Sequence, residues 1–140
     1  MIAVSKLSFS YSPETSIQFP DFSVQKGEHF LLLGESGSGK TTLLHLMGGL
    51  LRNKSGSIVV DGTELSGLSE VALDKFRGQR MGFIFQRNHL ISALSVEKNL
   101  IMSPYLAGLP IDAKRIGEVL SLLGLEAKRN SRVTELSQGQ

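Results

Sequence analysis

Gly34-Glu35-Ser36-Gly37-Ser38-Gly39-Lys40-Thr41 decides the reading of this 140-residue chain. Before it, His29-Phe30-Leu31-Leu32-Leu33 is a mostly apolar run with the length of a buried strand. After it, Leu43, Leu46, Met47 and Leu50 recur at the spacing that lays one apolar stripe along a helix over residues 40–49. Gly34, Gly37 and Gly39 let the backbone between strand and helix turn its N–H groups inward around an anion, at the positive end of the helix dipole. In such a loop Lys40 reaches the β- and γ-phosphates and the Thr41 hydroxyl holds Mg²⁺. Thr42, one residue on, could contact the α-phosphate side, and Ser36 and Ser38 belong to the same cradle. The bland alternative is a glycine-rich turn carrying a surface lysine, and the strand–loop–helix setting argues against it. The expectation is a nucleoside triphosphate site.

On the N-terminal side, Ile2, Val4, Leu7 and Phe9 alternate loosely and predict a strand over residues 2–9, with a turn at Ser12-Pro13-Glu14. Ile17, Phe19, Phe22 and Val24 predict a second strand, bent at Pro20 and so confined to an edge. Gln25-Lys26-Gly27-Glu28 turns into the strand that precedes the loop. Together these elements read as an antiparallel hairpin laid beside the nucleotide. Tyr11 ends the first strand, where an aromatic face could stack on a purine base; a half-buried edge tyrosine is the alternative.

On the C-terminal side, Ser57-Ile58-Val59-Val60 predicts a strand, returned through an Asp61-Gly62 hairpin turn to Thr63-Glu64-Leu65. Asp61 reads as turn chemistry and not as a metal ligand. Ser69 caps a short helix through Phe76, and Arg77-Gly78-Gln79-Arg80 follows as a basic loop, either a solvated face or a phosphate contact. Met81-Gly82-Phe83-Ile84-Phe85 predicts another strand, ending at Gln86. Ser95 caps a helix reaching Leu106, with Val96, Leu100 and Ile101 on one side. Asp112 caps a further helix bearing Ile116, Val119, Leu120 and Leu123, stopped by Gly124 with Leu125 packing back.

The bulk properties exclude several classes. Hydrophobic residues make up 41% and charged residues 20%, which is ordinary for a globular protein of one domain's length. A net charge of +2 is too small to argue for nucleic acid or an anionic membrane. There is no cysteine, hence no disulfide framework. No apolar run approaches the roughly eighteen residues that span a bilayer, and no signal peptide is evident, so a membrane role would come through a partner.

With Tyr11, the loop from Gly34 through Thr42, Gln86 at a strand end and the terminal Leu136-Ser137-Gln138-Gly139-Gln140, the chain resembles the nucleotide-binding domain of ATP-binding-cassette transporters over effectively its whole length. Val60-Asp61-Gly62-Thr63-Glu64-Leu65, Arg80-Met81-Gly82-Phe83-Ile84-Phe85-Gln86 and Ser95-Val96-Glu97-Lys98-Asn99-Leu100 resemble the lipoprotein-releasing and macrolide-export branch. The resemblance implies an α/β fold, a P-loop NTPase of ABC type. Residues 1–86 would form the ATP-binding core and an antiparallel β subdomain, and residues 87–140 the helical subdomain up to the signature.

It also implies ATP and Mg²⁺ as cofactors, with Tyr11 stacked on adenine. Lys40 and Gln86 would be the groups nearest the chemistry, Gln86 touching Mg²⁺ and the attacking water. Ser137 and the Gly139 backbone would close over the γ-phosphate held by another protomer, so that two domains sandwich two ATP molecules. Gln138 stands where the family most often has glycine. Residues from Arg87 into the Ser95 helix would face the coupling helix of a transmembrane permease subunit. That would place the domain on the cytoplasmic face of the inner or plasma membrane. His29, His45 and His89 align with nothing catalytic.

The family carries its acidic strand end, its water-polarising glutamate and its switch histidine beyond the point that corresponds to Gln140. The core sheet is therefore expected to be incomplete. Phosphoryl transfer depends on placing water and neutralising charge, so the expectation is weak Mg-ATP binding without turnover by the 140-residue polypeptide. A non-hydrolysing ATP-binding fragment is one alternative. A nucleic-acid-associated cassette protein is another, disfavoured because no heptad run lies between Lys40 and Ser137 and the chain cannot hold two cassettes.

Overall fold

β1 (Ile2–Ser12) is the spine of a five-stranded antiparallel sheet. On one edge it pairs first with β3 (Phe22–Val24), from Ile2↔Val24 to Val4↔Phe22, and then with β2 (Thr15–Gln18), from Ser8↔Gln18 to Ser12↔Thr15. Its other edge pairs with β4 (Ser55–Val60), which turns back into β5 (Thr63–Glu64). The computed structural model describes residues 1–86 and 89–137, and the chain divides into two compact units, Met1–Leu73 and Asp74–Gln140.

The single bent strand expected around Pro20 is two strands sharing one edge of β1. Proline has no N–H to offer the ladder, so pairing lapses there. The Asp21 carboxylate instead accepts from Lys6 N at 2.6 Å, and Phe19 N donates to Leu7 O at 3.0 Å across the gap. Asp61 and Gly62 both have positive φ, 48° and 79°, as the two-residue hairpin turn requires.

α1 (Lys40–Met47) lays Leu43 and Leu46 against the sheet, where they join Val4, Leu7, Phe9, Ile58, Val60, Leu65 and Leu73 in the core of the first unit. Arg52 ties the segment after α1 to the start of α2 (Glu70–Arg80). Its guanidinium donates to Glu70 Oε1 and to the carbonyls of Leu65 and Leu68. The helix expected to end at Phe76 continues to Arg80, so the basic loop over residues 77–80 is helical. Arg77 pairs with Asp74 one turn back, and a cation in the last turn complements the helix dipole.

Glu64 locks the β4–β5 hairpin. Its carboxylate accepts from Ser57 Oγ, from Ile58 N at 3.2 Å, and from Ser66 Oγ at 2.8 Å. Desolvation pushes this carboxyl up, but the hydrogen bonds from Ser57, Ser66 and the backbone outweigh it and hold its pKa below the ordinary value. A lowered folded-state pKa means stability that is present above the unfolded pKa and lost as pH falls through the folded one. Wild type should therefore lose thermal stability more steeply than Glu64→Gln as pH drops from about 5 towards 3. At neutral pH the variant should be about 1 kcal/mol the weaker. Parallel melting curves across that range would show that Glu64 carries none of the acid sensitivity.

In the second unit, α3 (Val96–Leu106) is capped by Ser95, whose hydroxyl accepts from Lys98 N. α4 (Ala113–Leu122) is capped by Asp112, whose carboxylate accepts from Arg115 N at 2.9 Å. Gly124, at φ +65°, ends it: Gly124 N donates to Ser121 O and Leu125 N to Leu120 O, which turns Leu125 back onto the helix. Val96, Ile116, Leu120 and Leu125 form the core, with Leu100, Ile101, Val133 and Leu136 packed around them. Leu123, expected on the buried face, is exposed, because the helix has already ended there.

Two predicted strands are unpaired. Residues 29–33 join no ladder, with Leu31 76% and Leu33 78% exposed, and residues 81–85 likewise, with Ile84 wholly exposed. Their apolar character was legible, but a strand needs a hydrogen-bonded neighbour, and none is present among the described residues. Both segments carry stacked aromatic rings. Phe30 stacks on Phe22 of β3 at 4.8 Å, and Phe83 stacks on Phe85 two residues along at 5.7 Å.

Candidate functional site

The glycine-rich loop closes at the start of α1, and two of its glycines are there for space as well as flexibility. A Cβ on Gly34 would lie 2.8 Å from Ser38 Oγ, so a larger residue would have to turn that hydroxyl aside. Gly39 sits in the left-handed region at φ +89°, and a Cβ there would meet Ile17 and Phe19 at 3.3 Å. The loop therefore rests directly on the edge formed by β2 and Phe19. A turn bond from Ser38 N to Glu35 O, 3.3 Å, draws its two ends together.

The electrostatics at this point suit an anion. Gly39 offers α1 no side-chain cap, and the first turn of the helix holds no acidic residue. The helix start thus keeps its positive character, with main-chain N–H groups directed at the loop. Lys40 adds a full charge. Its ammonium donates to Gly34 O at 2.8 Å, to Glu35 O at 2.5 Å and to Ser38 Oγ at 3.4 Å. Lys40 thus lies folded across the loop, holding its carbonyls in place.

Four other predicted residues lie in the same unit. Thr41 and Ser36 are exposed at the loop and helix start. Thr42 is 6% exposed, and its Oγ1 lies 2.8 Å from the Tyr11 hydroxyl. Tyr11 itself is 63% exposed and meets Phe9 edge to face, with ring centroids 4.8 Å apart. The aromatic residue and the phosphate-loop helix are therefore bonded directly, across 31 residues of sequence. Nothing in the local pattern of either residue announces that contact.

Gln86 and Ser137 belong to the second unit. Gln86 is an exposed bend residue after the unpaired segment 81–85. Ser137 follows Leu136, which is packed against the second unit's core, and Gly139 lies outside the described residues. Of the histidines, His29 is exposed and His89 meets the Phe85 ring edge at 4.9 Å. No group of three or more His, Asp or Glu able to hold a metal is found among the described residues. The hydroxyl of the exposed Thr41 is a hard donor of the kind that suits Mg²⁺, which keeps most of its own waters.

Comparison with known proteins agrees with this geometry. The family model described as ABC transporter matches residues 17–140. The macrolide export ATP-binding/permease protein MacB of Rhodopseudomonas palustris (strain HaA2) is 41% identical over 127 residues, covering 89% of this chain and 19% of that protein. The lipoprotein-releasing system ATP-binding protein LolD 1 of Rhodopseudomonas palustris (strain ATCC BAA-98 / CGA009) is 41% identical over 124 residues, covering 86% of this chain and 54% of that protein. The chain thus spans about a fifth and about half of these two relatives. Among solved structures, a dimeric post-hydrolysis ATP-binding cassette bound to ADP and Pi superposes with a TM-score of 0.87 at 27% identity, over 100% of this chain and 65% of that one. The two relatives place the likeness on the macrolide-export and lipoprotein-releasing side, and with most of its length matched by one family model, the chain belongs to the ABC transporter family.

Proposed function

We propose that the loop between residue 33 and α1 binds Mg-ATP, and that the complete protein uses this binding, followed by hydrolysis, to drive export or extraction by a transmembrane permease. The observation that carries the proposal is the placement of Lys40: a cation folded across the Gly34 and Glu35 carbonyls at the uncapped start of a helix. A polyphosphate arriving there gives the ammonium a charge-assisted partner in exchange for neutral carbonyls. The Gly37, Ser38 and Gly39 backbone and the Ser36 side wrap the phosphates. Thr42 lies on the α-phosphate side through its main-chain N–H, and Tyr11 stacks on the adenine.

Thr41 and Gln86 would supply oxygens to Mg²⁺, and Gln86 would also orient the attacking water. Mg²⁺ would supply charge neutralisation between the phosphates. Ser137 and the Gly139 backbone of one protomer close over the γ-phosphate held by the other, so that ATP binding joins two cassettes. The segment leading from Gln86 to α3 faces the permease and passes closure on to it. No helix among the described residues is long and apolar enough to cross a membrane, and attachment to the membrane's cytoplasmic face comes through that permease. Support for the transport role comes from the two relatives, whose names describe export and release systems.

The test is light scattering on the full-length protein with and without Mg-ATP. Wild type should shift from monomer to dimer on adding nucleotide, and Lys40→Ala should not. Equal dimerisation of the two would remove the loop from the mechanism.

A further inference from the structure

β1 leaves its regular ladder at Tyr11. The register with β2 runs through Ser10↔Ser16 and resumes at Ser12↔Thr15, so β1 carries one extra residue there, and that residue is Tyr11. A bulge bends the strand and re-aims the side chain it carries. The re-aimed ring is held at two further points: edge to face by Phe9, and at its hydroxyl by Thr42 Oγ1 at 2.8 Å. Tyr11 nevertheless remains 63% exposed, so most of the ring faces solvent. Thr42 is a stiff anchor, because it is buried, β-branched and part of α1, two residues after Lys40.

We infer that Thr42 is a positioning residue, whose hydroxyl latches Tyr11 in the orientation that receives a nucleobase. The inference rests on the nucleotide reading above and adds to it. A ring tethered at both its Cα and its hydroxyl has little rotational freedom left to lose when a base stacks on it, so stacking is not offset by the entropy of freezing a side chain. The latch is also on the helix that begins with the phosphate loop. It therefore sets the distance between the base platform and the phosphate cradle, and it determines how much the base adds to triphosphate binding.

Calorimetric titration with Mg-ATP and with inorganic tripolyphosphate in Mg²⁺ separates the base from the phosphates. Tyr11→Phe keeps the ring and removes the latch, and Thr42→Val removes it from the other side. Each should weaken ATP binding about three- to tenfold, the range for freezing one otherwise free side chain on binding. Tripolyphosphate binding should be unmoved in Tyr11→Phe, whose altered group lies outside the phosphate cradle, and the double variant should bind ATP no worse than either single one. Thr42→Ser, which keeps the hydroxyl, should restore ATP binding.

Wild-type ATP affinity in Tyr11→Phe overturns the latch, as do losses that multiply in the double variant. So does a matching loss of tripolyphosphate affinity in Tyr11→Phe, which would make the hydroxyl a phosphate contact. Wild-type protein that binds neither probe overturns the nucleotide reading, and the latch falls with it.

Discussion

Lys40→Ala should weaken Mg-ATP binding by at least about tenfold, the effect of losing one or more hydrogen bonds from a charged donor. The loss extends beyond the missing cation. Lys40 holds the Gly34 and Glu35 carbonyls, and without it those negative ends of dipoles are left facing an incoming polyphosphate. The fold should hardly notice, because both carbonyls are exposed and water replaces the ammonium. A change in unfolding free energy within about 0.5 kcal/mol is expected. Titration beside a thermal melt separates the two effects. Wild-type affinity in the alanine variant would mean that the triphosphate, if bound, sits elsewhere.

The second large effect concerns the apolar segment before the loop. Leu31 and Leu33 lie 76% and 78% exposed on an apolar stretch that joins no ladder among the described residues, the kind of segment that recruits strands from other molecules. The 140-residue chain should self-associate with rising concentration. Leu31→Lys combined with Leu33→Lys should weaken that association by more than about tenfold, since each leucine contributes roughly 1.5–3 kcal/mol when fully covered. Sedimentation velocity across a concentration series measures it. A monodisperse wild-type monomer that melts cooperatively would refute the expectation.

What could be read from residue order alone follows the range of the interactions. The caps at Ser95 and Asp112 and the stop at Gly124 were legible, because each is settled within a few residues of backbone. The Asp61-Gly62 turn was legible for the same reason, as were Leu43 and Leu46 of the α1 stripe, whereas the helix stops at Met47 and leaves Leu50 beyond it and exposed. Residues 29–33 and 81–85 were misread as paired strands. Apolar composition reports a wish for burial, while pairing depends on a neighbour that composition cannot supply. Residues 77–80 were misread as a loop because glycine and charge suggested a break, whereas Arg77 pairs back to Asp74 within a continuous helix.

At the site, the loop and its lysine were evident from spacing. The bond between Tyr11 and Thr42 was not, since it depends on a bulge and on a contact across the sheet and helix.

The seating of Gly39 on Ile17 and Phe19 means the phosphate cradle has no independent foundation. A methyl group trimmed from Ile17, or a ring shifted at Phe19, loosens the floor under the residue that caps α1. Nucleotide affinity should therefore register damage in a hairpin whose side chains never meet the ligand.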